Sequence, residues 1–233
     1  MFCILEKLPL DLKSEKVTQI IDMPTGEPIA YEPGGYKQQP LTLNIGIKDI
    51  SPEHLININN WLSGYGRLIF SNDPDKHYLA VANNAMTGNR LIERFGKIPV
   101  QFTVMPFKRD NDDTFHEISL IQNPYGSWDG NTGGDNDHPA GTASAKPTIK
   151  VYGTGDLHLT HHKTGIDIDV VGVDTYCIID LPSCKVYDKN NNVILDRVTG
   201  NIDDIINSPG DEGRITVSSW VTKVEVKFNR RWL

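Results

Sequence analysis

Ile166-Asp167-Ile168-Asp169-Val170 places an apolar side chain at every second residue with a carboxylate between each pair. A repeat of two is the pleat of a β-strand, so the aliphatics share one face and the aspartates the other. One buried face and one wet face is the mark of an antiparallel sheet. Val224, Val226 and Phe228 repeat the pattern, with Glu225 and Lys227 interleaved. Breaker-rich segments, Lys189 to Asn192 and Ser208 to Gly213, separate such runs. Short strands punctuated by turns predict a β-sandwich over residues 146–233.

The preceding stretch, Asn123 to Ala145, is crowded with Gly, Asp and Asn and nearly free of aliphatics. It predicts a domain junction or a long exposed loop over 123–145, leaving 1–122 as a first domain. Strands are expected there too. Leu41, Leu43, Ile45 and Ile47 alternate with smaller or polar residues, and Ile98, Val100, Phe102 and Val104 do the same. One helix interrupts them. Ser51-Pro52 supplies an N-cap followed by a residue whose missing N–H costs nothing in a first turn. Leu55, Ile58, Trp61 and Leu62 then recur at helical spacing as the packing stripe, and Gly64 ends the run. The fold class expected is mainly β in two domains, the first a β-rich α+β domain with one helix.

Composition narrows the function. The 233 residues are enough to bury a core without metals or disulfides. With 38% hydrophobic and 23% charged residues the chain reads as globular. A formal charge of −7 argues against the basic patch needed to displace counterions from phosphates, so no sequence-specific nucleic acid is expected as a partner. Apolar runs are short, as at Phe2 to Leu5, and predict neither signal peptide nor membrane insertion. Cys3, Cys177 and Cys184 cannot all pair within one chain, and none forms a C-x-x-C motif; reduced thiols are expected.

Catalytic and metal chemistry finds little footing. His158, His161 and His162 are close in sequence, which suggests zinc, yet on a strand His161 points away from the other two. The acidic groups Asp110/Asp112/Asp113, Asp129/Asn131/Asp135 and Asp188/Asn190/Asn192 lack the glycine and terminal acid of an EF-hand loop. Asx turns account for them better. There is no G-x-S-x-G elbow, no Gly-rich phosphate loop, and no cysteine beside a histidine signature. No catalytic residue, cofactor or metal is therefore assigned, and the chain is not expected to be an enzyme. A carbohydrate-binding module using Trp128, Tyr125 and Trp220 is the alternative, followed by a metal-dependent hydrolase built on the histidines.

The order of features resembles a family. Pro33-Gly34-Gly35-Tyr36-Lys37, the helix ending Ile58-Asn59-Asn60-Trp61-Leu62-Ser63-Gly64, and Gly66-Arg67-Leu68-Ile69-Phe70-Ser71-Asn72-Asp73 look like the amino-terminal half of siphophage distal tail proteins. The segment Gly96 to Phe107 is similar to the one closing that half. Ala145 to Gly153, Ile179-Asp180, Val186-Tyr187-Asp188 and Ser208-Pro209-Gly210 before a final hairpin resemble the family's carboxy-terminal half.

The resemblance implies an amino-terminal ring-forming domain and a galectin-like carboxy-terminal sandwich. It implies a homo-oligomer, a hexameric ring hub through which DNA passes, located at the virion's tail tip and assembled in the host bacterial cytoplasm. The partners implied are the tail tube protein, a tail-associated fibre or hub protein and a receptor-binding protein. Some relatives carry long insertions that form arms or carbohydrate-binding modules, and this sequence has no room for them. Strand edges around Leu41, Leu43, Ile45, Ile47, Leu68 and Phe70 are candidate ring contacts, because unpaired edges seek partners; the alternative is that these strands lie in the interior of their own sheet.

Overall fold

A computed structural model of the chain describes residues 4–5, 12, 14–21, 29–31, 34–46, 51–83, 97–123, 126–132, 141–210 and 213–233. It divides into two compact units, Met1–Asn111 with Leu233, and Asp112–Trp232. Both are built mainly of antiparallel strands.

The first unit contains β1 (Ile4–Leu5), β2 (Gln19–Ile21), β3 (Ile29–Tyr31), β4 (Gln39–Gly46), α1 (Pro52–Trp61), β5 (Tyr65–Phe70), β6 (Asp73–Ala82) and β7 (Lys97–Asp110). Five strands form a sheet in the order β1-β4-β7-β6-β5, while β2 and β3 pair separately. The alternation in β4 is realised: Leu41, Leu43 and Ile45 are buried while Thr42 and Asn44 face out. Val100, Phe102 and Val104 of β7 do the same from the neighbouring strand. Phe70 and Tyr78 meet edge to face inside this core, with centroids 6.3 Å apart.

Helix α1 starts at Pro52 and ends where Leu62 bonds back to Ile58, with Gly64 at φ +80° just beyond. Its Ser51 cap makes no side-chain bond to the helix. Ile58 and Leu62 pack into the core, but Trp61 is 62% exposed, which corrects the expected packing stripe. The geometry explains it. At 100° per residue, Ile58 and Leu62 lie 40° apart, while Trp61 falls 100° from Leu62, off the flank of so narrow a contact. The Leu55 side chain and residue Ile47 lie outside the described residues.

The second unit is a sandwich. Its strands are β8 (His116–Glu117), β9 (Ile121–Gln122), β10 (Trp128–Asn131), β11 (Thr148–Tyr152), β12 (Gly155–His161), β13 (Ile166–Val173), β14 (Tyr176–Asp180), β15 (Lys185–Tyr187), β16 (Val198–Gly200), β17 (Arg214–Val217) and β18 (Lys223–Lys227). One sheet runs β16-β13-β12-β17-β10-β9 and the other β15-β14-β11-β18-β8. Between them Leu157, Leu159, Ile168, Val170, Ile215 and Val217 of the first sheet join Ile149, Val151, Ile179, Val224 and Val226 of the second in one dry core. Removing any of these aliphatics from water contributes about 1.5–3 kcal/mol.

The division between units falls earlier than the Gly/Asp-rich stretch suggested. Residues 112–122 contribute β8, which pairs with β18, and β9, which pairs with β10. Trp128–Asn131, expected within the junction, pairs along its length with β17, and Thr132 continues it by donating to the Gly213 carbonyl. Turn residues here enter a strand because every backbone donor and acceptor needs a partner and β17 offers a full edge.

Candidate functional surfaces

The sheet of the first unit has two ends. At one, β5 pairs with β6 alone among the described residues. At the other, β4 pairs with β7 throughout, while β1 covers only Ile45 and Gly46. An unpaired edge is a template for another strand.

The side chains expected to form ring contacts mostly face inward. Leu41, Leu43, Ile45 and Phe70 belong to the unit's own core, and Leu68 packs against it partly buried. The outward alternates are what a partner would meet. On β5 these are Tyr65 (74% exposed), Arg67 and Ile69, and on α1 they are Ile56 and Trp61. Four large apolar side chains, Ile56, Trp61, Tyr65 and Ile69, are thus left mostly in water on the helix and on β5. Sequence periodicity finds the buried face of a strand and is silent about what the other face does.

Asp73 and His77, on strand β6 of this sheet, have partners within the unit. Burial alone would raise the Asp73 carboxyl, but Lys76 and Lys108, each 3.1 Å away, hold it below its ordinary value. His77 is buried and its Nδ1 lies 2.7 Å from the Asn111 side-chain oxygen; desolvation keeps its pKa below the usual histidine range.

In the second unit the histidines separate as strand geometry requires. His158 and His162 point outward from β12 and the turn after it. His158 Nδ1 lies 2.6 Å from Asp169, and His162 Nε2 contacts the Thr216 hydroxyl. His161 points into the core with no exposed surface, its Nδ1 2.8 Å from the Thr164 hydroxyl and its Nε2 3.1 Å from the Asn207 side-chain oxygen. Asn207 in turn donates through Nδ2 to the Thr132 carbonyl at 2.8 Å and exchanges two backbone bonds with Ala145. Among the described residues no group of three His, Cys, Asp or Glu could hold a metal ion.

Asp112 and Asp188 serve local turns, whereas Asp129 and Asn131 lie in strand β10, which corrects the turn expected there; Asp135 lies outside the described residues. Asp188 accepts from the backbone of Asn192 and Asn190 and from the Asn192 amide, and the Asn192 backbone bond leads in lowering its pKa. Burial works against ionisation of Asp112, yet Thr114 and His116 hold its pKa at about 2. Asp129 is buried against the guanidinium of Arg214.

Of the aromatic candidates for sugar stacking, only the Trp220 side chain is among the described residues. Trp220 lies over Gly153 and Gly155 and donates its Nε1–H to the Asp156 carbonyl at 2.9 Å. Tyr125 and the Trp128 side chain lie outside the described residues. Both described cysteines are free: burial pushes the Cys177 thiol to about 12, and Asp203, which accepts from Cys184, raises that thiol as well.

No protein-family model matches the chain, and no curated protein sequence is similar to it. Among solved structures it is similar to the SPP1 Dit protein (gp 19.1), described as a paradigm of the hub adsorption apparatus in phages infecting Gram-positive bacteria. The likeness covers 100% of this chain and 94% of that one, with a TM-score of 0.68 at 14% sequence identity. From end to end, therefore, this chain has the fold of a phage tail hub protein.

Proposed function

We propose that the chain is a structural component of a phage tail tip, a distal tail protein whose amino-terminal units close into a six-membered ring around the DNA channel. In this reading the ring joins the tail tube protein to the adsorption apparatus, and the sandwich unit projects from it toward a fibre, hub or receptor-binding protein. The particle is assembled in the host cytoplasm, and the chain performs no catalysis. The observation that carries the proposal is the full-length likeness to the SPP1 hub protein.

The first unit supports a ring on physical grounds. A closed ring of identical subunits needs one heterologous contact between two different patches. The sheet supplies two different ends, β5 and the β4 side, and leaves Tyr65 and Ile69 of β5 in water at the first. Light scattering across a concentration series, with and without the tail tube protein, tests it. Six copies of the 26.0 kDa chain give about 156 kDa. A mass of one chain under every condition rejects the ring.

A further inference from the structure

Strand β6 carries two consecutive side chains that are both almost out of water, Tyr78 at 4% exposure and His77 at 5%. Alternation sends them to opposite faces of the sheet. Tyr78 enters the core beside Phe70. His77 therefore lies on the other face, where register sets Arg109 of β7 directly opposite it and Arg67 of β5 on the diagonal, opposite Leu79. Asp75, two residues back on β6, is exposed, and Asp110 follows Arg109.

One bond fastens this histidine. Its Nδ1 lies 2.7 Å from Oδ1 of Asn111, and among the described residues its Nε2 has no hydrogen-bond partner. The other end of the amide fixes the direction: Asn111 Nδ2 donates to the Pro74 carbonyl at 2.6 Å, which leaves the oxygen for His77. The ring must then donate through Nδ1, so the neutral tautomer keeps its lone pair on Nε2. Asn111 also donates its backbone N–H to the Asp75 carbonyl at 2.9 Å. The residue thus held to β6 is the one at which the first unit hands the chain to the second.

A proton arriving at His77 has one place to go. It must sit on Nε2, buried, without an acceptor and within the field of two guanidiniums. Burial is the largest influence lowering the His77 pKa, and Arg67 and Arg109 add to it; the Asn111 bond and the Asp110 carboxylate oppose them without reversing the balance. A ring turned out into water has no such penalty. The closed state is therefore at full strength above 6.5, the ordinary histidine value, and loses ground to the open state as the pH falls below it. We infer that His77 and Asn111 form a proton-operated latch at the end of the first unit: the neutral ring fastens Asn111 to β6, and mild acid expels the ring and frees the segment that leads into the sandwich unit. The inference goes beyond the ring and stands apart from it, since ring formation is read by mass and this by local protection.

The test is hydrogen exchange of the full chain, followed by mass spectrometry on peptides covering 107–113, with rates divided by the intrinsic rate at each pH. Between about pH 7.5 and about pH 5 the protection of this segment should fall by at least about threefold, the limit being about thirtyfold when the closed ring takes up no proton. A peptide covering Thr148–Tyr152 of the sandwich core should not change. His77→Gln, whose amide can donate to Asn111 and takes up no proton in this range, should abolish the fall. Asn111→Asp, which sets a carboxylate against the imidazolium, should abolish it too and keeps the test independent of whether His77→Gln folds. Unchanged protection in the wild type, an equal fall in the 148–152 peptide, or a fall that persists in either folded variant would each overturn the latch.

Discussion

Replacing Asn207 by alanine should destabilise the sandwich unit by about 3–5 kcal/mol. The wild-type side chain holds two groups that have no access to water. Its oxygen accepts from His161 Nε2, and its amide donates to the Thr132 carbonyl, so the change deletes two bonds worth about 1 kcal/mol each. It also strands the imidazole N–H in an aliphatic core, where an unsatisfied donor costs about 1–3 kcal/mol. The backbone bonds between Asn207 and Ala145 survive, which keeps the total from being larger. Urea titration followed by far-ultraviolet circular dichroism reads the change as a shift in midpoint at constant slope. Asn192→Ala is the comparison, because its partner Asp188 lies in an exposed turn and the loss there should stay near 0.5–1 kcal/mol. A loss below 1 kcal/mol for Asn207→Ala, or equal losses for the two variants, would refute the idea that this buried network stabilises the unit.

Three further outcomes are expected. Trp61→Ala and Ile69→Asp should change folding stability by less than about 1 kcal/mol, since both side chains are mostly in water, yet abolish self-association in light scattering; retained association would remove this surface from the interface. Asp112 has its pKa lowered in the folded protein to about 2, so its contribution is fully present above the unfolded carboxylate value and is lost as the pH falls through the folded one. Asp112→Asn should accordingly cost about 1 kcal/mol at pH 6 after allowing for solvent screening, with the difference from wild type vanishing as pH falls from about 4 to 2; a constant difference in acid unfolding curves would contradict this. Cys177, buried and with its thiol pushed up to about 12, should resist iodoacetamide in the native protein and react after unfolding, as mass spectrometry can follow; rapid native labelling would mean the core opens readily.

The buried faces of the strands could be read directly from sequence. Ile166 to Val170, Val224 to Phe228 and Leu41 to Ile45 alternate because one side of each must meet a core, and that constraint is local and periodic. The helix was equally plain at Pro52 and Gly64, but its orientation was not. Trp61 fits helical spacing as well as Ile58 does, and only the narrowness of the contact leaves it outside. The Asn123–Ala145 stretch misled for a related reason, since Gly and Asp report local turn preference while β10 exists through long-range pairing with β17. The outward surfaces were the least visible. Nothing periodic marks Tyr65 and Ile69 as exposed, and the contact between His158 and Asp169 depends on register between β12 and β13, segments joined by a turn whose pairing a single strand does not specify. The resemblance to distal tail proteins rested on the order of weak motifs, and the shared fold accords with that order.

Negative-stain imaging of the purified protein, alone and mixed with the tail tube protein, bears most directly on the proposed role. Class averages should show closed rings of six subunits around an open channel, with one protruding lobe per subunit and with Trp61→Ala dispersing them. Particles that stay monomeric in both samples, or that pair as two-fold dimers without a channel, would contradict it.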